Sequence, residues 1–223
     1  MNLLALETST DRLSLALLVD GRLHAFDQAV GQRHAEMILE EVGALMRQAG
    51  IAPRDLQGVV YGEGPGAFTG LRIACGVAQG LALATGAKVL GVGTLAAIAE
   101  ESGASRVVAC IDARMSEVYH AVYEKQQGAW VTVQPPGLYA PDAVPLPPAG
   151  EWTGCGNGFA AYAEALRVRL GARLVEVRSD VAPTASAMLR LAAPRFAAGE
   201  GGPAHTAIPT YLRDKVALKT SER

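Results

Sequence analysis

A turn dense in glycine and proline runs directly into a helix at residues 62–72, and no other feature constrains the fold of this chain as strongly. Its sequence is GEGPGAFTGLR, in which the leading glycines permit positive φ and close backbone approach, and Pro65 fixes one dihedral angle. Thr69 is placed to cap the helix that follows. The segment lacks the Lys-Ser/Thr ending of a P-loop and the spacing of a dinucleotide fingerprint. We therefore favour a tight turn that presents a packed helix, with anion binding on free N–H groups as the alternative.

Apolar runs and turn residues divide the first hundred residues into an α/β pattern. Three short strands joined by hairpins are predicted, and apolar residues at helical spacing over 34–49 predict a helix that Gly50 ends. Strands and helices then alternate. The predicted strands cover 3–6, 13–19, 22–29, 58–61 and 88–92, and the helices after the first cover 69–84 and 95–101.

The second half repeats the order of elements in the first half, although not its residues. Predicted strands at 107–111, 118–123 and 130–133 match the three opening strands, and a proline-rich surface connection follows over 135–148. Helices are predicted at 159–170 and 184–198. We expect a first lobe over 1–103, a second lobe over 104–200, and a tail over 201–223 that becomes ordered on docking.

Charge and cysteine content narrow the functional classes. The 223 residues carry a formal charge of −2, so strong sequence-independent binding to nucleic acid by this chain alone is not expected. Cys75, Cys110 and Cys155 form no CxxC pair, which favours a reducing compartment, and Cys155 is expected to be the accessible thiol. The chain has neither the pattern of a leader peptide nor an apolar run near 18 residues. These features predict a soluble cytoplasmic protein that makes no contact with a membrane.

Five short motifs spread over almost the whole chain point to one family. They are LALETST at 4–10, HAE at 34–36, GPGAFTGLR at 64–72, DARMSEVY at 112–119 and YLR at 211–213. Together they resemble the bacterial TsaB (YeaZ) family. The resemblance implies an actin-like ASKHA fold of two duplicated α/β lobes, each with a mixed sheet. It also implies a role in making N6-threonylcarbamoyladenosine (t6A) at position 37 of tRNAs that read ANN codons.

The ASKHA plan uses two hairpin turns to clasp the phosphates of a nucleotide. The candidates for the first turn are an acid and hydroxyls, although polar residues that simply close a hairpin are an equal alternative. In the second turn, side chains at 113–115 stand where glycines would let a phosphate approach. We expect no tightly bound cofactor in this chain alone, with ATP or ADP possible in a complex. The candidate phosphate-loop residues are Glu7, Thr8, Ser9, Thr10, Asp11 and Asp112.

Metal chemistry is not supported by the residues. The resemblance implies that TsaD, the catalytic paralogue, carries a His-x-x-x-His pair whose positions fall on Thr94 and Ile98 here. Neither side chain can replace an imidazole as a ligand. The four histidines of the chain include no pair at i, i+4 spacing. We assign no catalytic residue and no metal ligand.

The hypothesis that follows is a non-catalytic assembly subunit. The resemblance implies direct binding to TsaD, participation of the ATPase TsaE, and only indirect contact with tRNA. Helices 34–49 and 69–86 are expected to pack against TsaD and to support a homodimer as well. A small-molecule kinase or ATPase of the same fold is the first alternative, and a metallopeptidase is the second. The expected interface residues are His34, Met37, Ile38, Glu41, Leu45, Thr69, Arg72, Cys75, Ala78 and Gln79.

Overall fold

The computed structural model describes residues 1–213, which form two mixed five-stranded sheets. In the first sheet the strand order is β3-β2-β1-β4-β5. The three opening strands are antiparallel to one another, and β1, β4 and β5 are parallel. These strands are β1 (Leu3–Glu7), β2 (Arg12–Val19), β3 (Arg22–Ala29), β4 (Gly58–Gly64) and β5 (Lys88–Gly93).

The second sheet repeats the first. Its order is β10-β9-β6-β7-β8, with the same sequence of antiparallel and parallel pairings. The predicted fold class, an α/β fold of two duplicated ASKHA-type lobes, is confirmed. The strands are β6 (Arg106–Asp112), β7 (Val118–Gln126), β8 (Ala129–Tyr139), β9 (Trp152–Cys155) and β10 (Leu174–Arg178).

Six α-helices accompany the sheets within residues 1–213. The first covers the predicted residues, and Gly50 ends it in the left-handed conformation with φ of 71°. The second begins at Phe68 after Ala67, without a side-chain cap, so the predicted capping role of Thr69 is wrong. The helices are α1 (His34–Ala49), α2 (Phe68–Thr85), α3 (Thr94–Ser102), α4 (Gly158–Ala161), α5 (Ala163–Leu170) and α6 (Ala185–Ala197).

The first sheet is covered by helices on both faces. Strand β1 is buried on both sides, and its side chains alternate between two clusters. Leu4 and Leu6 pack with residues of α1 and α2, while Leu3 and Ala5 pack with α6. A strand with both faces covered loses all its apolar surface to the core, which is why β1 is apolar at consecutive positions.

The position of α6 differs from the division of the chain into two lobes that the sequence predicts. Apolar residues at 185, 188, 189 and 192 place one face of α6 on the first sheet, although the helix follows the second sheet in the chain. Helix α3, in contrast, packs Leu95 and Ile98 into the core of the second lobe. The first lobe therefore consists of residues from both ends of the chain, and the predicted second lobe does not extend to residue 200.

Two irregular segments also differ from expectation. Strand β8 continues through Pro135 and Pro136 to Tyr139, which is possible because β8 is an edge strand and needs fewer backbone donors. The tail is ordered without a partner up to residue 213: Gly202 pairs with Val89, and Ala207 is fully buried. Residues 214–223 of the predicted tail lie outside the described residues.

Helix α2 is long and apolar enough, by length and composition, to cross a membrane. The sequence analysis missed this run because polar residues and glycines interrupt it. One face of the helix packs on the first sheet through Leu71, Ala74, Ala78 and Ala82. The core helix of a soluble protein can have the same length and composition, and α2 has the buried face of such a helix.

Candidate functional site

The first candidate phosphate turn, residues 7–11, is covered by the start of α2. The Thr8 hydroxyl donates a hydrogen bond to the Gly70 carbonyl at 2.7 Å, and the Ala67 N–H donates to the Ser9 carbonyl at 2.8 Å. A Cβ on Gly66 would lie 2.5 Å from that of Ser9, and one on Gly70 would collide with the Thr8 carbonyl. Gly66 and Gly70 therefore serve close packing against this hairpin, and the contact leaves no room for a phosphate between the hairpin and α2.

Glu7 is buried beneath the same contact. Its Oε1 accepts from the Ser9 N–H, while Oε2 has no hydrogen-bond partner among residues 1–213. Gly62 leaves the space that this carboxyl occupies, since a Cβ there would overlap with Oε2. Burial raises the pKa of Glu7 to about 7 against the smaller opposing effect of its hydrogen bonds. The acid is a core group, with no access from solvent to organise a metal.

The second candidate turn offers carbonyls instead of N–H groups. Arg114, Met115 and Ser116 all have positive φ, at 62°, 54° and 59°. The N–H groups of residues 113, 114 and 117 already donate hydrogen bonds to acceptors within the turn. The Arg213 guanidinium donates to the carbonyls of residues 113 and 114. A turn that binds a cation on its carbonyls is the reverse of an anion cradle.

Asp112, at the start of this turn, is committed to local structure. Its Oδ1 accepts from the Arg114 N–H at 2.8 Å and from the Tyr162 hydroxyl at 3.1 Å. The Arg114 guanidinium lies 3.1 Å from Oδ2. The carboxylate thus holds the turn in place.

A cavity of about 220 Å³ lies between the two lobes. Thr10 and Asp11 line it from the first lobe, and Asn157 and Asp180 line it from the second. Ligand pockets are typically about 300–1,000 Å³. The cavity is below that range. Carboxylates on both walls oppose a phosphate, and the guanidinium of Arg12, which also lines the cavity, is paired with Asp27. Within the described part of the chain, no group of His, Cys, Asp and Glu could hold a metal ion.

The remaining reactive residues are structural. Thr94 and Ile98, the positions at which the family resemblance implies the metal ligands of TsaD, are buried in the core. The three cysteines are buried free thiols, so the expected accessibility of Cys155 is wrong. Burial raises the pKa of Cys155 to about 11, which keeps it a thiol.

The surface of α1 and α2 requires a correction of the expected interface. Five of the ten residues are buried in the core of the first lobe and cannot meet a partner. The prediction combined residues that face the first sheet with residues of the outer surface of the same helices. The buried residues are His34, Ile38, Leu45, Cys75 and Ala78.

The other five expected residues lie at or near the surface. Met37, Glu41 and Gln79 are half-buried, while Thr69 and Arg72 are exposed. Arg72 donates to the Tyr211 hydroxyl at 2.9 Å, and Gln79 donates to the Ala207 carbonyl at 2.7 Å. These last two side chains therefore bind the tail segment, in addition to any contact with a partner.

Sequence reasoning missed four exposed positions on the same two helices. Leu39 of α1 is 63% exposed and Leu83 of α2 is 82% exposed. Gly76 and Gly80 lie on the outer face of α2, where an added Cβ would meet no atom of the described residues within 4 Å. A glycine inside a helix costs about 0.5–1 kcal/mol relative to alanine. Residues 1–213 thus give no packing reason for these two glycines.

The buried groups Glu7 and His120 change the free energy of unfolding in opposite directions as pH rises. Neither ring nitrogen of His120 has a hydrogen-bond partner in residues 1–213, and burial lowers its pKa to about 4. Unfolding lets His120 gain a proton below its ordinary pKa of 6.5, so its contribution is lost as pH falls towards 4. Glu7 holds a proton in the folded state up to about pH 7, so its contribution is lost as pH rises from 4.5 to 7.

Glu7→Gln should remove one of these two opposing dependences. Between pH 4.5 and 6.5 they nearly cancel in the natural chain. Relative to the natural chain, the unfolding free energy of the variant should therefore increase by about 2 kcal/mol from pH 4.5 to 6.5, with a slope that reaches about 1.4 kcal/mol per pH unit only in the middle of the interval. Urea denaturation at a series of pH values measures the difference. Parallel curves for the two proteins would contradict a buried protonated Glu7.

Comparisons with known proteins agree with the fold and the motifs. The family described as tRNA N6-adenosine threonylcarbamoyltransferase (TsaD) matches residues 28–219. The tRNA threonylcarbamoyladenosine biosynthesis protein TsaB of Escherichia coli is 36% identical over 230 residues, covering 98% of this chain and 97% of that protein. The protein of the same name from Haemophilus influenzae is 32% identical, covering 98% and 96%.

The solved structure of YeaZ from Pseudomonas aeruginosa superimposes with a TM-score of 0.88 at 41% sequence identity. The match covers 95% of this chain and 99% of that one. Similarity in sequence and in structure thus extends over nearly the full length of the described residues.

Proposed function

The chain belongs to the TsaB (YeaZ) family of tRNA threonylcarbamoyladenosine biosynthesis proteins, and on that premise we propose that it is a non-catalytic assembly subunit. It takes part in t6A synthesis. In the proposal it binds and supports the catalytic paralogue TsaD, together with the ATPase TsaE, in the complex that transfers the threonylcarbamoyl group to tRNA. The subunit works in the cytoplasm, where its three free thiols stay reduced.

The outer face of α2 carries the proposal. Gly76 and Gly80 lower the stability of the helix, and nothing among the described residues needs their small size. Close packing of a partner helix against α2 would require residues this small, because only small side chains let two helix backbones approach closely. Leu83 and Leu39 add exposed apolar surface to the same helix pair. We define the docking face as Leu39, Gly76, Gly80 and Leu83.

The state of the two candidate turns in residues 1–213 supports the assembly role. The start of α2 covers the first turn, and Arg213 binds the carbonyls of the second. The positions at which the family resemblance implies the metal ligands of TsaD are core residues. The proposal therefore includes no tight cofactor on this chain alone, and it leaves ATP or ADP to sites formed in the complex. With a formal charge of −2, the chain reaches tRNA only indirectly.

A homodimer through the docking face is the competing use of the same surface. A face that fits a paralogue of like shape also fits a second copy of this chain. In the proposal the copy is displaced when TsaD binds, because both occupy the same glycine-lined surface.

Reconstitution of transfer from threonylcarbamoyl-AMP to tRNA tests the proposal. We expect no t6A with the chain alone, and full product only when it is combined with TsaD and TsaE. Product from the chain alone would refute the non-catalytic role, and full activity of TsaD and TsaE without it would refute the assembly role. Titration calorimetry with ATP, and zinc analysis of the pure chain, test the kinase and metallopeptidase alternatives, for which we expect neither binding nor stoichiometric metal.

A further inference from the structure

The last described residues, 207–213, leave the first lobe and reach the second. They begin in the core of the first lobe, where Ala207 is fully buried and its carbonyl accepts from Gln79. The Thr210 N–H then donates to the Glu63 carbonyl at 2.7 Å. This end of the segment is therefore fastened to the first sheet and to α2.

The middle of the segment lies against the first turn of α2. The rings of Tyr211 and Phe68 have centroids 5.3 Å apart, and the Arg72 guanidinium lies 3.7 Å above the Phe68 ring. Arg72 also donates to the Tyr211 hydroxyl. The three side chains form one stack that joins the segment to the helix.

The far end is bound to the second lobe. Leu212 packs against the cluster that contains Tyr119, and Arg213 reaches the turn after β6. Its guanidinium lies 2.8 Å from a carboxylate oxygen of Glu117 and donates to the Ala113 carbonyl at 3.0 Å. The Arg213 side chain is only 12% exposed. Charge-assisted hydrogen bonds shielded in this way are the stronger ones.

We propose that residues 207–213 form an interlobe strap, and that Arg213 is the positioning residue that fixes the second lobe against the start of α2. The turn it binds needs external support, because three consecutive non-glycine residues are left-handed there. Arg213 supplies this support by binding the carbonyls at 113 and 114. The inference concerns the isolated chain and does not depend on the proposed partner.

A second set of contacts explains why loss of the strap should loosen the lobes without separating them. Glu100 of α3 accepts from Arg190 of α6, and also from Lys125 and Trp130 of the second sheet. Burial opposes the charge of Glu100, but these hydrogen bonds outweigh it and lower its pKa. None of these contacts involves Arg213, so we expect the network to remain when Arg213 is removed.

Hydrogen exchange on the full chain with Arg213→Ala tests the strap. We expect amides in 113–117 and 68–72 to exchange at least about tenfold faster, while β1 and β6 stay protected. Arg195→Ala is the matched control, since it removes an exposed arginine whose partners among the described residues are Glu200 and the Gly91 carbonyl. Glu117→Ala should have a smaller effect than Arg213→Ala, because the bonds to the carbonyls remain, and it serves as the second variant if Arg213→Ala fails to fold.

A distance measurement tests the effect on the lobes directly. Cysteines introduced at the exposed residues Gln28 and Ala160 can carry spin labels, one in each lobe, because the native thiols are buried. We expect a narrow distance distribution in the otherwise natural chain and one at least twice as broad with Arg213→Ala. Unchanged exchange at 113–117, or an unchanged distribution, would each overturn the inference.

Discussion

Gly76→Arg should abolish co-purification with TsaD while the isolated chain stays folded. The position is open to solvent in the free chain, so the arginine costs little there. In the proposed complex it would hold apart two helices and bury an unpaired charge, which costs about 3–5 kcal/mol. That cost corresponds to a loss of affinity of at least about 100-fold. A pull-down and titration calorimetry with purified TsaD measure it.

The control for this variant is Ala197→Arg, which adds the same side chain at an exposed position of α6, on the other face of the first sheet. It should bind TsaD as the natural chain does. Gly76→Ala gives a further check, since it should raise the stability of the free chain by about 0.5–1 kcal/mol and weaken the complex. Unchanged binding by Gly76→Arg would remove α2 from the interface and leave the assembly role without its surface.

Gly70→Ala should destabilise the free chain by about 3 kcal/mol or more. Gly70 lies in α2 only six residues before Gly76, and both have helical backbone angles. The added methyl group at Gly70 would overlap with the buried Thr8 carbonyl, which has little freedom to move because Thr8 directly follows β1, the central strand of the first sheet. Thermal denaturation and urea titration measure the loss.

Gly76→Ala is the matched control for Gly70→Ala, with the opposite sign expected from the same chemical change. The two variants distinguish a glycine that is required by close packing inside the chain, at position 70, from a glycine on the open outer face of α2, at position 76. Equal effects at both positions would show that the first turn is not packed against the start of α2 as described.

Local signals in the sequence predicted much of the fold. The bounds of α1 were predictable because its apolar residues repeat at helical spacing and Gly50 can adopt the left-handed conformation. The duplicated sheets followed from the repeated order of strands. The start of α2 was predicted one residue late, since Thr69 looked like a cap while the helix begins without one.

Long-range packing could not be predicted in the same way. Nothing near residues 185–197 indicates that α6 covers the first sheet, because the apolar stripe fits either lobe. Helix α2 consists of small residues on most of its surface, so spacing could not distinguish Ala78, which is buried, from Gly76, which is exposed. The contact residues of a partner surface depend on that distinction, and Cys75 and Ala78 were wrongly assigned to the interface for this reason.

The shared construction of the first lobe has a consequence for synthesis on the ribosome. Residues 94–183 supply the second lobe as one continuous stretch, whereas the first sheet waits for α6 to cover Leu3 and Ala5. The first lobe is thus translated first but folds completely only after the second lobe has been made. The second lobe can fold while the first sheet still exposes an apolar face. Until residue 197 has emerged, the nascent chain has to keep this face from aggregating.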